Sequence, residues 1–181
     1  CVNSSFPEEL MLPRLKEVYE NYKPDAFWFD CDNWYYKYCY CENCTRLFRA
    51  EYGIDPPKER SDPNWEKFAA FHRKSYDAYI KKVADFIHSL DPNIGYVTNW
   101  AYTFMQPEPM PEYIDFISSD IGQARRTEMV SFYAHHLDAE PTPWDALLST
   151  WIGEPNNPKD FTPPKSIDYY CQGYAVAASH G

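Results

Sequence analysis

Residues Asp25–Cys44 read DAFWFDCDNWYYKYCYCENC, and the fold expected of the chain turns on that stretch. Ala26, Phe27, Trp28 and Phe29 form a short, wholly apolar run, which suits a parallel strand covered on both faces. Asp30 stands where such a strand leaves the core. In α/β proteins the carboxyl ends of parallel strands collect ligands and catalytic groups, because the loops there vary while the scaffold stays rigid. Asp30 is therefore the first candidate catalytic residue. The same loop then runs into Cys39, Cys41 and Cys44, a Cys-x-Cys-x-x-Cys cluster.

Outward from this stretch the chain alternates. Leu10, Leu15, Val18, Tyr19 and Tyr22 lie at helical spacing between about Pro7 and Tyr22, and Pro13 predicts an irregular first turn. A helix is expected from Glu42 to Tyr52, stopped by Gly53, before the Pro- and charge-rich loop DPPKERSDP. Asp62-Pro63 opens a long helix with Trp65, Phe68, Tyr79, Val83, Phe86 and Leu90 as its buried stripe, and Asp91-Pro92-Asn93 closes it. Further strands are expected over Ile94–Thr98, Tyr113–Ser119 and Ala146–Thr150, and further helices over Gln123–Leu137 and Pro164–Ala178.

Strand followed by helix, four times over, implies right-handed crossovers and a mainly parallel sheet. The expected fold class is α/β, a partial (β/α)8 barrel in one domain over residues 1–181, truncated at both ends. Opening on Cys-Val-Asn and stopping in YAVAASHG fits a piece of a longer protein, whose missing barrel strands would cover the exposed sheet edges. A doubly wound sheet would carry a Gly-rich phosphate turn, and with six glycines there is neither GxGxxG nor GxxxxGK[ST].

Composition narrows the function. Seventeen basic residues against 27 acidic ones give a net charge of −10, with no basic run, so phosphate backbones and anionic membranes would be repelled. Neither nucleic acid nor a membrane is an expected partner. No apolar segment approaches the ~20 residues that span a bilayer. Phe, Trp and Tyr make up 18% of the chain, enough large side chains for a real core.

Three thiols on one short turn are awkward to bridge with one another but well arranged around one tetrahedral ion, so Cys39, Cys41 and Cys44 point to structural zinc. The fourth ligand is Cys1 or Cys31. Disulfides among the six cysteines are the competing reading. Cys171, on the last expected helix, reads as a buried thiol.

WFDCDNW resembles the strand-four motif of the α-L-fucosidases of glycoside hydrolase family 29, in which a Trp-Phe-Asp run supplies the nucleophile. The Cys-Tyr-Cys-x-x-Cys run with Phe48, Tyr52 and Gly53 is similar to the zinc loop of family 42 β-galactosidases, where a further Cys lies just after strand three. The opening Cys-Val-Asn-Ser matches that position, so this resemblance implies Cys1 as the fourth ligand. PWDALLSTW with Lys165 and Gln172 resembles the segment before the last barrel strand of the fucosidase-like group. Only the WFD and cysteine motifs are specific. The resemblance implies a barrel segment of about strands four to seven and hydrolysis of O-glycosidic bonds in a carbohydrate substrate.

Such hydrolysis uses two carboxyl groups, ~5 Å apart in a retaining enzyme. Asp30 is the implied nucleophile, beside the plainer role of an acid holding loop amides. Asp120, Asp145 and Glu154 are the candidate acid/base residues. Asp145 matches the family's Trp-Glu motif but is one methylene shorter. Trp34, Trp100 and Trp151 would stack on sugar rings and Asn99 would bind a sugar hydroxyl. His72 and His88 read as structural, and His135-His136 sits at a helix end without metal-ligand spacing. The alternatives are a non-catalytic sugar-binding relative with a structural zinc, a barrel hydrolase with catalytic metal, and a zinc-stabilised interaction module.

Overall fold

A computed structural model describes residues 1–30, 38–99, 109–118, 127–139, 142–145, 147, 164 and 166–180. The apolar run forms strand β1 (Ala26–Phe29), which pairs with β2 (Gly95–Thr98) in one two-stranded sheet. The Gly95 amide donates to the Asp25 carbonyl at 2.9 Å and the Asn99 amide to the Phe29 carbonyl at 2.8 Å. The register advances in the same direction on both strands, so the pair is parallel.

The expected partial (β/α)8 barrel is not what these residues form. Among the described residues the sheet has two strands, set among five α-helices, and no barrel wall is built. The segment expected as a strand over Tyr113–Ser119 contributes a single parallel bridge, Ile117 to Trp144. Its burial explains why: Ile114 and Ile117 are buried three residues apart, where a strand buries alternate residues. Nor is β1 covered on both faces. Phe29 is buried while Ala26 and Trp28 are exposed, and since side chains alternate along a strand, these two share the uncovered face. The strand expected over Ala146–Thr150 lies largely outside the described residues.

The chain divides into two compact units, Cys1–Phe27 with Tyr35–Tyr96, and Trp28–Trp34 with Val97–Gly181. In the first, a π-helical turn (Pro7–Met11) leads into α1 (Leu12–Tyr22). Pro13 has no amide to donate to the preceding turn, and the Leu12 amide instead reaches five residues back to the Pro7 carbonyl. Of the expected α1 stripe only Leu15 is buried; Leu10, Val18 and Tyr22 are exposed, and among the described residues α3 is the main α-helix that α1 lies against.

Helix α2 (Glu42–Tyr52) ends where expected, with Gly53 left-handed at φ 70° and its amide on the Arg49 carbonyl. Helix α3 (Trp65–Leu90) starts after Asn64 rather than at Pro63, because the Asp62 carboxylate closes a turn by accepting from the Asn64 amide at 2.8 Å. Its buried face is wider than the expected stripe and includes Phe71, His72, Tyr76, Ile80 and Ile87. Phe68 and Phe71 pack on Cys44 and Phe48 of α2, with Tyr38, Leu47, Tyr52 and Trp65 around them.

In the second unit α4 (Thr127–Leu137) packs on α5 (Ile167–Ala178). Ile117, Val130, Tyr133 and Leu137 form the core there, with Met110, Trp144, Val176 and Ala177 against it. Ser166 caps α5, its hydroxyl accepting from the Tyr169 amide at 3.3 Å.

Candidate functional site

The strongest chemical feature of the first unit is a cluster of four cysteines. The sulfurs of Cys1, Cys39, Cys41 and Cys44 all lie within 4.8 Å of one another. Cys1 Sγ is 3.3 Å from Cys44 Sγ and 3.6 Å from Cys41 Sγ. Around a tetrahedral ion with metal–sulfur bonds of ~2.3 Å, the sulfurs stand about 3.8 Å apart. The cluster thus matches a four-thiolate metal site, and all four are free thiols rather than disulfide halves.

Local structure explains the convergence. Cys41 is the N-cap of α2 and Cys44 is on its first turn, so both sulfurs reach the open, positive end of the helix. The amides of Cys44 and Asn43 there hold the Cys41 thiol below its ordinary range. Burial acts oppositely on Cys44, pushing its thiol up to about 12. A bound cation would relieve that penalty, since a metal-bound sulfur is a thiolate. Cys1 is turned in by a tight loop in which the Ser4 amide and hydroxyl both donate to the Cys1 carbonyl, at 3.1 and 2.6 Å.

Three further side chains hold the ligands in place. The Asn3 carboxamide donates to Cys44 Sγ at 3.4 Å and to Ser75 Oγ at 3.1 Å, tying the N-terminal loop and α2 to α3. His72, one turn before Ser75 on the same face of α3, accepts the Cys39 amide on Nε2 at 3.3 Å. Burial lowers the His72 pKa to about 4, so the ring is neutral and able to accept at neutral pH. Aromatic edges of Tyr38, Phe68 and Phe71 surround it. Sequence reasoning missed Asn3 and Ser75 and gave His72 only a structural role; the sole signal was the one-turn spacing of His72 and Ser75.

In the second unit, Asp30 and Asn99 come together at the carboxyl ends of β1 and β2. The buried Asn99 carboxamide donates to Asp30 Oδ1 at 2.9 Å, while Asp30 is exposed. Asn99 thus holds the carboxylate from a buried position. Trp28 precedes Asp30 by two residues, which places both on the same side of β1. Trp28 is 37% exposed, and its indole donates to Ser118 Oγ at 2.8 Å. Ser118 follows Ile117, whose carbonyl accepts the Asp145 amide at 2.9 Å; Asp145 itself is exposed.

The remaining expectations divide. Asp120, Glu154, Trp34, Trp100, Trp151 and the alternative ligand Cys31 lie outside the described residues. Cys171 is exposed, not the buried thiol expected, because α5 turns it away from the packed face formed by Val176 and Ala177. No helix among the described residues is long and apolar enough to cross a membrane.

Compared with protein-family models, curated proteins and solved structures, the chain matches none.

Proposed function

We propose that the chain hydrolyses glycosidic bonds of a carbohydrate, with Asp30 as its reactive carboxylate and a structural zinc held by Cys1, Cys39, Cys41 and Cys44. The observation that carries the reading is Asp30 itself, an exposed carboxylate at the carboxyl end of a parallel strand, steadied on one oxygen by Asn99. The half-exposed Trp28 on the same side of β1 supplies an apolar platform for a sugar ring. The WFD resemblance supports a nucleophilic role, in which the second oxygen of Asp30 attacks the anomeric carbon. Asp145 is the described candidate for proton transfer to the leaving oxygen.

Zinc is the ion best suited to four thiolates in a tetrahedron, and four protein ligands leave no open position for substrate. The metal therefore serves stability, joining the N-terminal loop to α2. The carbohydrate reading is tested with aryl glycosides, α-L-fucosides first, and with a 2-deoxy-2-fluoro glycosyl fluoride that traps a covalent intermediate. A glycosyl adduct on Asp30, lost in Asp30→Asn, supports it; no turnover and no adduct across the panel sinks it.

A binding-only relative is the second reading, favoured by Asp145 standing where the resembled motif has the longer Glu. Saturable binding of an oligosaccharide, weakened by Trp28→Ala without any turnover, would select it.

A further inference from the structure

At the end of α4 the fold assembles a group of side chains that the carbohydrate reading does not use. His135 is in the last turn of α4 and Asp138 just beyond it, while His180 follows α5. The two imidazole rings lie 4.2 Å apart between centroids, edge to face. His135 Nδ1 is 2.9 Å from the Ser131 carbonyl, and His180 Nδ1 is 3.0 Å from Asp138 Oδ2. The Trp144 indole donates to the other carboxylate oxygen of Asp138 at 3.2 Å.

These partners decide where the ring protons sit. A carbonyl and a carboxylate only accept, so each histidine carries its proton on Nδ1. In the neutral ring the lone pair is then on Nε2, in both residues. This is the arrangement that metal-binding histidines adopt, one nitrogen anchored to a carbonyl or carboxylate and the other turned to the ion. The C-terminal end of α4 and the Asp138 carboxylate both add negative potential, which favours a cation.

We propose that His135 and His180 form a two-imidazole site for a divalent transition ion of the kind imidazole selects, with Nε2 of each ring as ligand and solvent completing the coordination. Asp138 and Ser131 are positioning residues: they hold the rings and their tautomers. The site is independent of the cysteine cluster and of the glycosidase reading.

The test uses the full chain with its thiolate site first loaded with zinc, and Ni(II) as the added ion. Histidine-ring NMR of the Ni(II)-free protein should show the Nδ1–H tautomer at both positions. Ni(II) at equimolar amount should broaden the His135 and His180 ring signals before those of His72, His88 and His136. His135→Gln and His180→Gln should each weaken Ni(II) binding by at least about tenfold, and Asp138→Asn by about tenfold, with His136→Gln unchanged. Broadening that begins at His88 or His136, or Ni(II) affinity equal in His135→Gln, His180→Gln and the parent chain, would overturn the proposal. The broadening order is read on the parent chain, so it decides the matter even if a variant folds poorly.

Discussion

The carboxamide of Asn99 reaches across the ends of two parallel strands to Asp30, donating to Oδ1 at 2.9 Å from a fully buried position. Its place in the core makes Asn99 a fixed support for an exposed carboxylate, and the consequences of removing either partner differ. Asp30→Asn should leave the fold standing, because the residue is exposed, and abolish any glycoside turnover. Asn99→Ala should destabilise the chain by about 1–3 kcal/mol through a lost buried hydrogen bond and a small void. Thermal unfolding of both variants beside an aryl-glycoside assay separates the two effects.

Metal removal should act on stability rather than on Asp30. An ion present at about a thousandfold excess over its dissociation constant stabilises the native state by about 4 kcal/mol. A strong chelator is therefore expected to lower the melting temperature and open the N-terminal loop to proteases. Metal analysis should return one zinc per chain; none bound after refolding with zinc would remove the metal centre.

Cys1 and Cys171, both exposed, give a paired test. Cys1→Ser removes a ligand and should weaken metal affinity by well over tenfold. Cys171→Ser, far along the chain on α5, should leave affinity and stability as they were. Competition against a colorimetric zinc chelator reads both.

His72 offers its Nε2 to the Cys39 amide from within an aromatic shell. His72→Leu keeps the apolar volume and leaves that amide without its acceptor, at a cost of about 1–3 kcal/mol. Metal affinity should fall by about 10- to 100-fold, as for other groups that orient a ligand. A gain in stability in His72→Leu would show that the hydrogen bond contributes nothing.

Gly53 ends α2 with φ at 70°, and a Cβ added there would meet no atom within 4 Å. Gly53→Ala should thus cost about 1 kcal/mol from backbone conformation alone, without a clash. Urea denaturation checks the value; a loss of several kcal/mol would mean the turn does more than close the helix.

Much of the local structure was legible in the residues themselves. Gly53 marked the end of α2, Asp91-Pro92 the end of α3, and the run Ala26–Phe29 a strand, because these signals depend on a few neighbouring residues. The metal cluster was half legible. Cys39, Cys41 and Cys44 sit on one turn, so spacing alone announced a site, whereas the residues left the fourth ligand open between Cys1 and Cys31 and a resemblance chose Cys1, whose sulfur is brought over by the Ser4 turn and Asn3.

The larger architecture was not legible, and the reason is physical. Apolar runs report burial without naming the partner that supplies it, so Tyr113–Ser119 read as a barrel strand yet makes one bridge among the described residues. Likewise the α1 stripe read as core and is mostly exposed, since amphipathic spacing needs a second surface to become packing. What the residues determined alone was short-range: helix ends, one strand, three thiols in a turn and an acid at a strand's end. Only tertiary structure decided the two-stranded sheet, the fourth sulfur, the Asn99–Asp30 bond and the meeting of His135 with His180, because each joins segments whose closeness is set by packing of the intervening chain.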